Sequence, residues 1–259
     1  MKSLQGKIVV VTGASRGLGL ELALAFAMEG CRVAMAARDD RALHDAAEKI
    51  AAVGGQTLPF ACDVTRRQEL ENFAERIKTV WEPAQILINN AGIARAMGFI
   101  DMSDELWHEI LAVNLTGTYH CCKVFLPPMM EAKWGRIINI ASTTAKVGYP
   151  YVSAYTASKH GLLGLTRSLA LETAQLGVTV NAICPGYIDD ERTRENARVM
   201  AEKTGKTVDD IIKLFAASAP QNRLIAPAEI ASLAVLIASE RLGGMTGQAV
   251  NVDGGAVMV

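Results

Sequence analysis

Short β-branched runs alternate with longer amphipathic stretches along this chain, and that alternation leaves few folds open. The apolar runs fall at 8–12, 32–37, 57–61, 85–88, 136–140, 179–183 and 249–252, and they read as strands. Between them, helical periodicity predicts helices over 18–29, 39–53, 66–80, 103–125, 153–175 and 227–238. Gly30 and the Gly54-Gly55 pair act as stop signals, and Pro127-Pro128 is expected to close the 103–125 helix, because proline lacks a backbone donor. Strands apolar on both faces, each followed by a helix, mean a parallel sheet covered on both sides. The expected class is α/β, a Rossmann-type doubly wound parallel sheet flanked by helices. No linker or repeat divides residues 1–259, so one domain is expected. Only 186–220 breaks the rhythm. It is polar, with a modest helical pattern at 208–217, and an insertion of this kind after a strand is more often a loop or lid than core.

Composition excludes several classes. Half of the 259 residues are apolar, which argues against disorder, and a net charge of −1 argues against nucleic acid or an anionic membrane as main partner. No uncharged apolar run approaches the ~20 residues of a membrane span. The N-terminal segment Met-Lys-Ser-Leu-Gln-Gly-Lys is too short and too soon followed by glycine for a secretory signal, so a cytoplasmic protein is expected. Cys31, Cys62, Cys121, Cys122 and Cys184 are odd in number and lack paired spacing, which reads as small buried side chains. The four histidines show no ligand spacing either, and no metal is expected.

The first strand runs into Thr12-Gly13-Ala14-Ser15-Arg16-Gly17-Leu18-Gly19 and then a helix. A glycine turn between a parallel strand and a helix N-terminus lets backbone amides and the helix dipole face phosphates, which points to a dinucleotide. The alternative is that these glycines only permit close helix–sheet packing. An acid at the end of the second strand would hold ribose hydroxyls and favour NAD(H). Here that strand ends Ala36-Ala37-Arg38, and Arg38 with Arg16 favours the 2′-phosphate of NADP(H). NAD(H) remains possible if Arg38 is merely solvated and Asp39 or Asp40 serves instead, although both acids suit a helix start.

Tyr155 and Lys159 are four residues apart near the start of a long helix, hence on one face. A free tyrosine, with a pKa of about 10, is a poor acid–base group at neutral pH. An ammonium beside it favours the phenolate, and such a tyrosine can give a proton to a carbonyl oxygen or take one from an alcohol. Ser142 lies just past the 136–140 strand, at the sheet edge where ligands of open α/β sheets bind.

With these motifs the chain resembles the short-chain dehydrogenase/reductase family in its ~250-residue form. The likeness spans nearly the whole chain. It rests on the glycine turn, Asp63, Asn89-Asn90-Ala91-Gly92, Asn114, Ser142, Tyr155-x-x-x-Lys159, Pro185-Gly186 and Val252-Asp253-Gly254-Gly255. The resemblance implies a catalytic set of Asn114, Ser142, Tyr155 and Lys159, with Tyr155 as acid/base, Ser142 positioning the substrate oxygen, Lys159 also binding the nicotinamide ribose, and Asn114 bending its helix and holding a water chain. It implies coenzyme contacts from Gly13, Ser15, Arg16, Gly17, Leu18, Gly19 and Arg38. Asp63 and Val64 would meet adenine, Asn90, Ala91 and Gly92 the ribose side, and Pro185, Gly186 and Ile188 the nicotinamide. The reaction implied is interconversion of a secondary alcohol and a ketone, most of all as an NADPH-using ketone or 3-oxoacyl reductase. Where the family often has threonine after Pro-Gly, this chain has Asp190, with Thr193 as the substitute after a small loop shift.

The small-molecule substrate is expected against Ala94, Met97, Val147, Tyr149, Tyr151 and Tyr187, a mostly apolar set. Arg95 and Lys146 are either anchors for an acidic substrate or solvated loop charges. The resemblance implies a homotetramer packed through the 103–125 and 153–175 helices; the alternative is that both faces are covered within one chain. An NAD-dependent alcohol or hydroxy-acid dehydrogenase, and a non-catalytic nucleotide-binding scaffold, are the competing readings.

Overall fold

The structure is a computed structural model describing residues 4–259; Met1, Lys2 and Ser3 of the N-terminal segment considered above lie outside the described residues. Seven strands build one sheet: β1 (Ile8–Thr12), β2 (Arg32–Ala37), β3 (Gln56–Ala61), β4 (Ile86–Asn89), β5 (Gly135–Ile140), β6 (Val178–Pro185) and β7 (Ala249–Val252). All neighbours pair parallel, in the order β3-β2-β1-β4-β5-β6-β7. The expected strands are all present within a residue or two. Pro59 is tolerated because β3 is an edge strand, where a missing donor disrupts little.

The period of two along β1 shows why its run is apolar throughout. Val9 and Val11 pack toward α1 (Gly17–Met28), α2 (Asp40–Ala51) and α9 (Pro227–Ala238), with Leu22, Phe26, Leu43 and Ile230. Ile8 and Val10 face the other way, toward α3 (Arg67–Val80) and α5 (Gly117–Glu131), with Phe73 and Phe125. The helix α6 (Ser153–Thr173) completes this second layer beside β6. The two helical layers sandwich the sheet, as the sequence reading expected.

Two helical expectations need correction. The 103–125 stretch is not one helix. It is α4 (Asp104–Leu111), a π-helical turn at Ala112–Thr116, and α5. The Gly117 N–H reaches back five residues to the Ala112 carbonyl, and a side chain at 117 would collide with Val64. Nor does Pro127-Pro128 close the helix, which runs on to Glu131. Pro127 lies on the exposed side with Lys123, where a carbonyl that loses its donor can hydrate, while Phe125 and Met129 stay buried and hold the turn to the sheet.

The 186–220 segment is also more ordered than its composition suggests. It holds α7 (Glu191–Thr204) and α8 (Val208–Ala217), packed through Ala197, Ala201 and Ile211. Asp190 and Thr207 cap the two helices by accepting the N–H groups of Thr193 and Asp210. The ends are drawn together where Ile225 donates to the Tyr187 carbonyl and Asp189 donates to the Ile225 carbonyl.

Candidate active site

The strand order reverses between β1 and β4, and the crevice above their C-terminal ends is where ligands of open α/β sheets bind. The glycine turn stands on one side of it and Asn90-Ala91-Gly92 on the other. Thr12 ties them together: its Oγ1 accepts the N–H groups of Asn90 and Ala91, both at 3.0 Å. The Asn90 amide donates to the carbonyls of Thr12 (3.0 Å) and Gly13 (3.2 Å). The Asn90 side chain thus holds the turn in place. Gly13 (φ +66°) and Gly17 (φ +54°) adopt left-handed backbone, and a β-carbon on Gly19 would drive into the Gly13 carbonyl. The turn leads into α1 with no side-chain cap, so its first amides stay available to an anion. Ser15 and Leu18 lie within this same turn.

At the adjoining strand ends, Arg38 is exposed beyond β2, and no hydrogen bond or ion pair engages it among the described residues. Asp39 is engaged: it caps α2 by accepting the Ala42 N–H at 3.0 Å. Asp63 orders the loop after β3 by accepting from the N–H (2.9 Å) and hydroxyl (2.8 Å) of Thr65, and its own N–H donates to Glu69. Val64 is buried against Gly117, next to the π-helical turn.

The second half of the site gathers at the C-terminal end of β5. Ser142 opens a short 3₁₀ turn (Thr143–Ala145), its Oγ accepting the Thr144 N–H at 3.2 Å. Lys159, fully buried, sends its Nζ to the Ile140 carbonyl at 2.7 Å, two residues before Ser142. The same Nζ stands 5.6 Å from the centre of the Tyr155 ring. The Tyr155 hydroxyl makes no hydrogen bond among the described residues. Asn114, in the π-helical turn, accepts from the Ile93 N–H (2.8 Å) and donates to the Ile93 carbonyl (2.9 Å) and the Ser158 hydroxyl (3.1 Å). Ser158 in turn donates to the Tyr155 carbonyl at 2.7 Å. Asn114, Ser158 and the Tyr155 carbonyl therefore form one network that joins the β4 loop, the irregular helix and α6, while Ser142 and Lys159 are held separately at the end of β5.

A family model described as short chain dehydrogenase matches residues 7–201. The chain belongs to the short-chain dehydrogenase family. Among its relatives is a D-beta-hydroxybutyrate dehydrogenase of Cupriavidus necator, 37% identical over 98% of this chain and 99% of the relative. Another is a 3-oxoacyl-(acyl-carrier-protein) reductase of Haemophilus influenzae, 35% identical over 97% and 98%. The solved structure of an actinorhodin polyketide ketoreductase variant with NADPH superposes with a TM-score of 0.94 at 33% identity, covering 97% of each chain. The L-sorbose reductase of Gluconobacter frateurii, complexed with NADPH and L-sorbose, reaches 0.94 at 29% identity over 100% of both chains. This dehydrogenase is an oxidoreductase that interconverts a secondary alcohol and a ketone by hydride transfer with a nicotinamide dinucleotide.

Burial is the main force on the Lys159 ammonium of the dehydrogenase. With the Arg192 charge adding to it, burial pulls the pKa from the ordinary 10.5 down to about 7. Below pH 7 both folded and unfolded chains carry this proton, and the folded chain bears the full cost of burying it. Between pH 7 and 10.5 the unfolded chain holds a proton that the folded chain has released, so stability rises with pH, at up to ~1.4 kcal/mol per pH unit. Chemical denaturation without coenzyme should therefore show the stability of the wild type growing relative to Lys159→Met from pH 7 to pH 9. A difference that stays flat would contradict this account of Lys159.

On the substrate side the dehydrogenase departs from expectation at Lys146. That side chain is not a free anchor: it donates to the carbonyls of Ala249 (2.8 Å) and Val259 (2.6 Å). Arg95 remains exposed and, among the described residues, meets only the Ala94 carbonyl, at 3.2 Å. Tyr187 stacks on Phe215 with centres 4.3 Å apart, and this α8 partner escaped the sequence reading because it lies 28 residues away in a polar stretch. Tyr151 holds a left-handed backbone (φ +66°), and its carbonyl accepts the Met97 N–H, which couples the loop after Ser142 to the loop after β4. Pro185 ends β6, and Gly186 lies so close to Asp253 that a β-carbon would crowd it. Ile188 is buried and pairs with Ile225. Glu69 and Ser158 are supporting residues that sequence reasoning missed, and the bonds of Thr12 to Asn90 and Ala91 were not read from its place in the glycine turn. Each acts through a backbone group or another side chain, which no spacing announces. All five cysteines are buried and unpaired, and burial raises Cys31, Cys62 and Cys122 to about 12. Among the described residues no helix is long and apolar enough to cross a membrane, and no cluster of His, Cys, Asp or Glu has metal-binding geometry.

Proposed function

We propose that this dehydrogenase reduces a ketone, most of all a 3-oxoacyl group, with NADPH as coenzyme and Tyr155 as the acid. The observation that carries the reading is the position of Lys159: its Nζ is anchored on the end of β5, two residues before Ser142, and faces the Tyr155 ring. The bound dinucleotide supplies the hydride. Ser142 holds the substrate oxygen, and the Tyr155 hydroxyl delivers its proton to that oxygen as the carbonyl is reduced. Lys159 holds the nicotinamide ribose. Asn114, through Ser158, keeps the first turn of α6 in register with the β4 loop. The substrate class rests on the relatives, which include a putative ketoacyl reductase of Streptomyces coelicolor, 33% identical over 98% of both chains.

The coenzyme choice rests on Arg38 and Arg16, which are exposed at the crevice, while Asp39 is occupied as a helix cap. Titration of the protein with NADPH and, separately, NADH, followed by tryptophan fluorescence, should show preference for NADPH. Arg38→Asp should weaken NADPH about 10- to 100-fold, the loss of a charge-assisted hydrogen bond, and favour NADH, because an acid at this strand end can hold the ribose hydroxyls. An unchanged preference would remove Arg38 from phosphate recognition. Tighter NADH binding by the wild type would favour an NAD-dependent hydroxy-acid dehydrogenase, in line with the hydroxybutyrate dehydrogenase relative.

The reading further takes residues 1–259 as one domain, with 186–220 as a lid over the substrate. It takes the assembly as a homotetramer through α5 and α6, where Tyr119 and Leu171 are exposed. Light scattering should report the mass of four chains. Reduced, buried cysteines support a cytoplasmic setting.

A further inference from the structure

The two acids that open α7 both confront anion-binding parts of the site. Asp190 is nearly buried. Its Oδ1 accepts the Thr193 N–H at 2.9 Å, while its Oδ2 lies against the glycine turn: a β-carbon on Gly17 would be 3.4 Å from it. Gly17 is the first residue of α1, so this oxygen faces the uncapped, electropositive end of that helix. The next residue repeats the arrangement further out. Glu191 places Oε2 3.9 Å from Nη1 of Arg16, both side chains being largely exposed. A diphosphate arriving on the turn meets the first carboxylate, and a 2′-phosphate arriving at Arg16 meets the second.

We propose that the carboxylates of Asp190 and Glu191 compete with the phosphates of the dinucleotide, and that Glu191 alone discriminates between coenzymes. Asp190 competes for the glycine turn and so opposes any dinucleotide. Glu191 competes for Arg16 and so opposes only a coenzyme that carries a 2′-phosphate. The inference rests on the coenzyme reading above and explains an acid where the resemblance leads one to expect threonine. Threonine, which the resemblance sets against the nicotinamide carboxamide, would bring no negative charge to the turn, whereas this carboxylate offers the phosphates only a like charge.

Calorimetric titration of NADPH and of NADH into the wild type, Asp190→Asn and Glu191→Gln tests it. Asparagine keeps the helix cap and glutamine keeps the side-chain length, so each variant removes only the charge. Asp190→Asn should tighten both coenzymes in parallel, by about tenfold, as expected when a nearly buried like charge is removed. Glu191→Gln should tighten NADPH about two- to fivefold, the scale of an exposed pair, and NADH by less than about twofold. Both gains should shrink at high salt. Asp190→Asn binding both coenzymes no more tightly than the wild type would overturn the role of Asp190. Glu191→Gln shifting both coenzymes equally, or neither, would overturn that of Glu191. Failure of the wild type to bind either coenzyme would instead overturn the coenzyme reading itself and the inference with it.

Discussion

Tyr155→Phe should lower kcat by about 10²- to 10⁴-fold, the range associated with loss of a positioned acid–base group. The expected result is unusually clean because of where the hydroxyl stands. It makes no hydrogen bond to the chain among the described residues, so its removal orphans no buried partner. The ring stays half-buried on the first turn of α6, and the Ser158 bond to the Tyr155 carbonyl uses backbone only. Stability should therefore move by no more than about 0.5 kcal/mol, and coenzyme affinity by less than about twofold. Steady-state kinetics with a 3-oxoacyl thioester, together with a coenzyme titration of the same sample, separates the outcomes. Full turnover in the variant would place the proton donor elsewhere and leave Tyr155 a structural residue. Loss of coenzyme binding along with turnover would mean that the ring, not the hydroxyl, is what matters.

Gly19→Ala should abolish measurable coenzyme binding, with an expected loss of at least about 100-fold, as two or more hydrogen bonds to charged phosphate go together. The obstacle is steric. An added β-carbon at 19 would overlap the Gly13 carbonyl and lie 2.6 Å from the Asn90 amide nitrogen. Both are fixed: the Asn90 amide holds the carbonyls of Thr12 and Gly13, and the N–H groups of Asn90 and Ala91 hold the Thr12 hydroxyl. The turn has to open, breaking the link between the β1 and β4 ends, and overpacking of this kind costs about 1–3 kcal/mol of stability. Gly17→Ala offers the contrast. It meets nothing closer than Asp190 at 3.4 Å, so only its left-handed backbone resists, at about 1–2 kcal/mol. Thermal melts and NADPH titrations of both variants should rank Gly19→Ala well below Gly17→Ala in affinity. Equal affinities would mean that the glycines serve backbone handedness alone.

These two variants also show which features were legible before the fold was known. The strand runs, the glycine turn, Ser142 and the Tyr155–Lys159 spacing could be read directly, because each is a local pattern: a period of two, a period of 3.6, or a turn residue at a helix start. The ends of β1, β2, β7 and α9 fall where the pattern puts them. Proline was legible only in part. Its missing donor at 127 and 128 is a local fact, but whether the helix ends there depends on what Phe125 and Met129 gain against the sheet.

The sequence by itself determined the layered α/β architecture, the coenzyme turn and the residues that meet at the end of β5. Apolar periodicity and glycine spacing act over a few residues, and there the chain has little freedom. Tertiary structure alone decided how those parts are held and gated. It made the Asn90 amide a strut for the glycine turn, tied Lys146 to the ends of β7 and the chain, and put a π-helical turn under Asn114. It also folded a polar stretch into α7 and α8 and so brought Asp190 onto Gly17, 173 positions away in the chain. Such contacts join residues whose own neighbours say nothing of each other. Only the assembly of the sheet, which sets β1 beside β4 at the switch point and β5 beside β6, brings them within reach.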